Sequence, residues 1–378
     1  MSTSDISDAV FLDDQKLAAW QLAMAPGIGP RLRQTLLAAF GSPAAILAAA
    51  PSDLARVPGI GPRLLQSLVT ATQNPNVQRE LKTCQAHQIT WLLDSDANYP
   101  RALREIPDPP GVLFYVGEIL PTDAMAVAIV GTRHASHYGK TQAHRLAAGL
   151  ARAGITIVSG LARGIDAAAH RGALEAGGRT IAVTAGGVLD IYPPEHKELA
   201  GDISSHGAVV SENPTTARAK RGMFPQRNRI ITGLSQGVIV VEAAERSGAL
   251  ISAAQAVDQN REVFAVPGRI DSRNSRGCHG LLRDGAKLVT SVDDVIEELG
   301  PLIESTRTSD GREIRHPAEL QLNDQEQRVL VAIDTEPTTM DQVVVQSGLP
   351  VHRVLSTVSV LETRKLIRRV SGQLVVRV

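Results

Sequence analysis

Two cysteines in 378 residues, Cys84 and Cys278, are too few and too far apart for a disulfide framework or a thiolate metal site. Aromatic side chains are scarce at 3%, so stacking on bases cannot be the main source of affinity for a nucleic acid. Phosphate contacts would have to dominate, with a strong dependence on salt. Neither sign of charge prevails, since 39 basic and 39 acidic side chains cancel. A polyanion surface must therefore come from segregated charge. No apolar run approaches the roughly 20 residues that span a bilayer. The N-terminus is polar and acidic, without the basic start and apolar run of a signal peptide. The expectation is a soluble cytoplasmic protein with no membrane attachment. Histidines such as His134, His137, His144, His170 and His196 are scattered without metal-ligand spacing, so no metal or other cofactor is expected.

A chain this long is expected to hold more than one domain. Pro26-Gly27-Ile28-Gly29-Pro30-Arg31-Leu32 recurs as Pro58-Gly59-Ile60-Gly61-Pro62-Arg63-Leu64, and a helix-periodic run follows each copy. Gly-Ile-Gly between helices resembles the helix-hairpin-helix turn, where Gly27, Gly29, Gly59 and Gly61 would offer backbone N–H groups to a DNA phosphate. The glycines equally suit a tight helix connection with no ligand. Residues 89–116, rich in Asp94, Asp96, Pro100, Pro107, Pro109, Pro110 and Gly111, read as a connecting segment. From Met125, β-rich runs at 126–130, 155–158, 180–184, 208–210, 238–241 and 262–266 alternate with helical stretches such as 138–153 and 164–176. That alternation predicts an α/β fold with a mostly parallel sheet and ligands at the carboxyl ends of its strands. Residues 300–316 are polar and read as a linker. Helices at 324–333, 340–347 and 351–363 and a hairpin at 366–370 and 374–378 give a winged-helix pattern. The third helix, with Val351, Val354, Leu355, Val358 and Leu361 as its buried face, carries few cations beyond His352, Arg353 and Arg364. DNA and protein both stay open as its partner.

Three turns in the middle of the chain combine glycine with arginine. Gly131-Thr132-Arg133 follows the first predicted strand, and Ser159-Gly160-Leu161-Ala162-Arg163-Gly164 follows the second. A looser basic run, Arg218, Lys220, Arg221, Arg227, Asn228 and Arg229, lies where no acidic residue occurs between Glu212 and Glu242. Glycine lets the backbone approach a ligand, the following helix N-terminus favours anions, and arginine fits phosphate oxygens with a planar fork. One such turn suggests a nucleotide; several suggest a phosphate polymer. The dinucleotide fingerprint fails at both glycine turns. Gly233-Leu234-Ser235-Gln236-Gly237 matches a hydrolase nucleophile motif, but with a helix before the serine and a strand after it, the reverse of what that chemistry needs.

The stretches Ala128-Ile-Val-Gly-Thr-Arg133, Ile157-Val-Ser-Gly-Leu-Ala-Arg-Gly-Ile-Asp-Ala167, Tyr192-Pro193, Phe224-Pro-Gln-Arg-Asn-Arg-Ile-Ile231, Val240-Val-Glu-Ala243 and Val263-Phe-Ala-Val-Pro-Gly268 occur together. In that order they resemble the DNA-processing protein A (DprA/Smf) family of bacteria. The resemblance covers about 89–289. Gly277-Cys278-His279 and Ala249 depart from the polar residues frequent there in the family. The resemblance implies an extended Rossmann-like domain at 86–299. An all-helical SAM/helix-hairpin-helix-like domain at 1–85, a linker at 300–320 and a winged-helix-like domain at 321–378 complete the expected organisation. It further implies a homodimer without enzymatic activity that binds single-stranded DNA, protects incoming strands in natural transformation and loads RecA recombinase in the presence of single-strand-binding protein. The DNA contacts expected are Gly131, Thr132, Arg133, Ser159, Gly160, Arg163, Gly164, Lys220, Arg221, Arg227, Asn228 and Arg229. A second resemblance, to nucleotide phosphoribohydrolases of the cytokinin-activating (lonely guy) type, would make Glu242 with Arg229 an acid site. Their Pro-Gly-Gly-x-Gly-Thr turn is absent, and an ion pair of Glu242 with an arginine is the favoured reading.

Overall fold

The computed structural model describes residues 13–299, 306–307, 313–314, 319, 322–364, 366–371 and 373–377. Its centre is a sheet of strands β1 (Thr90–Leu93), β2 (Val112–Gly117), β3 (Ala126–Val130), β4 (Thr156–Ser159), β5 (Thr180–Val183), β6 (Gly207–Ser211), β7 (Gly237–Val240), β8 (Glu262–Ala265) and β9 (Lys287–Leu288). They lie in the order β1-β2-β6-β5-β4-β3-β7-β8-β9. Every pairing from β6 to β9 is parallel, whereas β1 and β2 join antiparallel at one edge. Strands β3 to β7 are buried along their whole length, because helices cover both faces. Burial on both faces selects the unbroken Val, Ile and Ala runs seen in the sequence. One face packs Val127, Ile129 and Ile157 against Leu146, Leu150 and Ile165 of two helices, His137–Arg152 and Ile165–Glu175. On the other, Val130, Val158 and Val240 meet Ile230, Ile231 and Ala253 from the helices Met223–Gly233 and Gly248–Asp258.

The segment 89–116 is not a mere connection. It supplies β1 and β2, and its prolines and aspartates fall between the two strands. Trp20 of the helical N-terminal domain meets Trp91 and Phe114 edge-on at 5.1 and 5.4 Å between ring centroids. Trp20, Val77 and Leu81 thus share one core with Phe114 and Val209. Turn residues masked these strands, since four to six residues give too short a periodicity to outweigh seven breakers.

In the N-terminal repeat Gly27 and Gly59 take φ of +82° and +92°, the left-handed region that favours glycine. A Cβ on Gly27 would strike Leu64 of the other copy, and Gly59 faces Leu32 in return. Gly27 therefore lets the two copies approach closely. Gly29 and Gly61 cap the helices Pro30–Phe40 and Pro62–Val69 and face solvent.

The C-terminal domain is a winged helix. Asp324–Val331, Met340–Ser347 and Val351–Thr363 pack with a three-stranded sheet of Thr338–Thr339, Leu374–Arg377 and Ile367–Ser371. Val354, Val358 and Leu361 are buried as expected, but Val351 and Leu355 are exposed and Thr357 faces the core in their stead. Most of the expected linker 300–316 lies outside the described residues; within it Thr306–Arg307 pairs antiparallel with Glu313–Ile314. Among the described residues no helix is long and apolar enough to cross a membrane.

Candidate nucleic-acid interface

The chain order reverses between β3 and β7, and such a switch point is where an open parallel sheet normally leaves a crevice. Here that crevice is filled. Glu242, just after β7, accepts hydrogen bonds from the Ser136 backbone N–H at 2.9 Å and the Ser136 hydroxyl at 2.6 Å. Ser136 in turn caps the helix His137–Arg152 by accepting from Gly139 N–H at 3.1 Å. The Glu242 carboxylate lies directly on Gly139, where a Cβ would overlap it. The arginine partner expected for Glu242 is therefore replaced by a serine cap. The Glu242 carbonyl also accepts the Thr132 N–H at 2.8 Å, which sets the course of the Gly131–Arg133 turn.

The opening lies one strand pair further on, above β4 and β5. Gly160, Ala162 and Arg163 form one wall, Thr184 to Gly186 the floor, and Arg133, Tyr192, Pro193 and Phe224 the rim. Arg133 is exposed and stacks its guanidinium 4.5 Å from the centroid of Phe224. Tyr192, also exposed, meets Phe224 edge-on at 5.8 Å. A cation held over a ring keeps its position without a carboxylate partner, and its charge stays available to an anion. Arg163 is exposed and bonds Glu195, whose carboxyl it holds below the usual carboxylate range; the same bond raises Arg163. A pair this exposed is weak, so a phosphate can replace Glu195.

The six expected cations divide into two groups. Lys220 and Arg221 are exposed on the segment before Phe224, and Arg133 and Arg163 face the same edge. That segment is pinned where Gly187 N–H reaches the Ala217 carbonyl at 2.8 Å and Leu189 N–H reaches the Thr215 carbonyl at 2.9 Å. Glu80, from the N-terminal domain, accepts the Thr215 N–H. Arg227 and Arg229 instead point inward. Arg227 is buried, donates to the carbonyls of Gly160 (2.6 Å) and Val183, and is pushed down to about 10 by burial, with Asp166 opposing the shift. Arg229 is buried against Glu212 and, at 3.6 Å, Asp108. Asn228 is half-buried between them.

Of the remaining expected contacts, Ser159 is fully buried and donates to the Ile129 carbonyl at 2.6 Å. Gly160 is buried against the Arg227 guanidinium, with no room for a Cβ. Gly164, at φ +82°, passes so close to the Thr132 and Arg133 carbonyls that a side chain there would collide with them. These groups shape the turn that Arg133 and Arg163 decorate. Thr184, Gly186, Tyr192 and Glu195 escaped the residue-level reading. The sequence signal for them was Gly186-Gly187 directly after a strand, with Tyr192-Pro193 beyond it.

Beneath the cleft, His170 is fully buried. The Thr180 hydroxyl donates its proton to the Ile157 carbonyl at 2.7 Å and so accepts from His170 Nδ1–H, also at 2.7 Å. His170 is thus neutral, its Nε2 has no hydrogen-bond partner, and burial pushes it down to about 3. An unfolded histidine binds a proton near its ordinary 6.5, so this group's contribution to stability is full above that pH. It is lost as pH falls from 6.5 toward 3, at up to about 1.4 kcal/mol per unit. Urea unfolding at pH 7.5 and 5 is expected to show a loss in the wild type that shrinks by roughly 2 kcal/mol in His170→Asn, which keeps the donor to Thr180. Equal pH dependence in the two proteins would discount the buried imidazole.

A family model described as DNA recombination-mediator protein A matches residues 90–300. A SAM-like helix-hairpin-helix tandem matches 21–74, and a DprA winged helix domain 313–373. Protein Smf of Synechocystis is 34% identical over 94% of this chain and 96% of its own length. The DNA processing protein DprA of Bacillus subtilis is 44% identical over 60% of this chain and 76% of its own. The solved DprA structure from Streptococcus pneumoniae superposes with a TM-score of 0.65 at 35% identity, covering 76% of this chain and 98% of that one. DprA of Helicobacter pylori gives a TM-score of 0.52 at 32% identity over 57% and 98%.

Proposed function

The chain belongs to the DNA recombination-mediator protein A family, and from that premise we propose that it holds single-stranded DNA at the carboxyl edge of the sheet and delivers the strand to a recombinase. The reading extends to protection of incoming strands in natural transformation, action as a homodimer in the cytoplasm, and loading of RecA on DNA coated with single-strand-binding protein. The observation that carries it is the cleft above β4 and β5, where Arg133 on Phe224 and exposed Arg163 offer charge around an aromatic face, with exposed Lys220 and Arg221 on the segment that leads to Phe224. The Helicobacter pylori relative is described as binding single-stranded DNA, which supports the same ligand here.

The narrow cleft favours a flexible strand. A duplex cannot turn its phosphates toward cations set on three separate loops, whereas a single strand can follow them while one base rests on Phe224. The enzyme alternative finds its candidate acid engaged, because both oxygens of the buried Glu242 carboxylate accept from Ser136, the cap of the helix His137–Arg152. The test is a salt titration of binding to single-stranded and duplex DNA of equal length, with nucleoside monophosphates assayed in parallel for release of free base. Preference for the single strand at every salt, with no base released, is the expected result. Equal affinity for both forms that survives removal of the winged-helix domain would refute the proposed ligand, and catalytic release of base would replace the proposal with the hydrolase.

A further inference from the structure

The turn that carries Arg133 into the cleft leads, after the Ser136 cap, into the helix His137–Arg152. His137, Lys140, Thr141, His144, Ala148 and Arg152 recur on one face of that helix, and Ala168 and Arg171 of the helix Ile165–Glu175 line the other side of the same groove. The helices close tightly because Gly172 has no side chain: a Cβ there would strike the His144 carbonyl. Ala148 and Ala168 leave the floor low, so the long cationic side chains stand as rims. The groove begins at the carboxyl edge of the sheet and follows the helix for about 22 Å at 1.5 Å per residue.

Its charge is one-sided. The one carboxylate paired within it is Glu175, which binds His144 at 2.7 Å. Arg145 donates to the Thr290 carbonyl at 2.9 Å. Lys140, Arg152 and Arg171 are exposed and, among the described residues, have no carboxylate partner. In a chain with equal numbers of acidic and basic side chains, three unpaired cations rimming one groove are segregated charge. Arg152 also suits the negative end of its own helix, but Lys140 and Arg171 have no such role.

We propose that this groove is a second backbone track, taking the phosphates of the strand that leaves the cleft past Arg133. The proposal rests on the single-strand reading of the cleft. A negatively charged polymer fits because the groove offers a row of cations and no aromatic face, and the same strand is the occupant because the groove opens at the turn bearing Arg133. Sequence would not matter along it, only length and charge.

The test compares fluorescently labelled oligothymidylates of about 6 and about 30 nucleotides, the shorter within the range one small site holds. The combined variant Lys140→Ala, Arg152→Ala, Arg171→Ala is expected to bind the short strand as the wild type does. It should bind the long one on the order of tenfold more weakly, with a salt slope smaller by about 2, at about 0.7 per lost single-strand phosphate contact. Arg133→Glu, as control, should weaken both probes. A combined variant that matches the wild type on the long strand, in affinity and slope, overturns the groove while leaving the cleft standing. Equal loss on both probes also overturns it, since the residues would then act through the cleft or the fold. Unchanged DNA binding with loss of polyglutamate binding would give the groove to an acidic protein segment instead. If the wild type binds neither strand, the cleft reading falls first.

Discussion

Arg133→Glu is expected to weaken single-strand binding by about 100-fold at moderate salt, and Lys220→Glu by about 10-fold, with folding unchanged in both. A charge-assisted contact is worth about 1.5–3 kcal/mol, and reversal adds repulsion to the loss. Arg133 stands higher because its replacement also removes the cation held over Phe224, so the aromatic face loses the group that fixes it. Lys220 is exposed on a pinned segment and bears charge alone. Each reversal should flatten the salt slope by about 0.7 for the lost phosphate. Oligothymidylate anisotropy titrations from low to physiological salt, with urea melts alongside, measure both quantities. If the two variants keep wild-type affinity and slope while folded, the cleft above β4 and β5 is not the DNA site.

The parallel half of the fold was legible because burial on both faces leaves a strong trace. Ala126–Val130, Ile181–Val183 and Val238–Val240 are apolar without interruption, and helices of ordinary length separate the strands. The antiparallel edge was hidden. Thr90–Leu93 is only half-covered and gains its partners from Trp20, seventy residues earlier, a contact that no local pattern carries. At the site, the glycine turns were found in their correct places, but the function of each residue was blurred by residue type. Arginines 221, 227 and 229 read alike as a basic run. The structure separates them: Arg221 lies before the helix Met223–Gly233, whereas within it Arg227, Ile230 and Ile231 fall at i, i+3 and i+4 and so face one way, into the core. Helical phase, read on the charged residues as well as the apolar ones, turns Arg227 inward. The closing of the switch point by Glu242 had no sequence signal, since Ser136 lies 106 residues away and serine caps are common.

Arg227 is expected to behave as a prop beneath the cleft, and replacing it should damage stability first and binding second. Its guanidinium sits where a Cβ of Gly160 would be and ties the Gly160 carbonyl, at the end of β4, to the Val183 carbonyl, at the end of β5. It is also the main charge opposing the upward shift that burial imposes on Asp166, which accepts the Ala162 N–H within the same turn. Arg227→Met would leave two buried carbonyls without donors and a buried carboxyl without its compensating cation, a loss of about 3–5 kcal/mol. Arg227→Lys keeps the charge but not the fork, and should lie between. The contrast is Lys220→Met, on the exposed segment, where stability should move by less than about 0.5 kcal/mol while affinity falls. Urea unfolding and DNA titration of the same preparations separate the two roles. The Arg227 variant should lose binding because the Gly160–Gly164 turn no longer holds Arg163 at the rim, and the residual salt slope, measured where it is still folded, should stay near that of the wild type. If Arg227→Met instead melts within about 1 kcal/mol of the wild type and loses a phosphate's share of the slope, then Arg227 reaches the DNA directly, and the arginine must leave its buried position to do so.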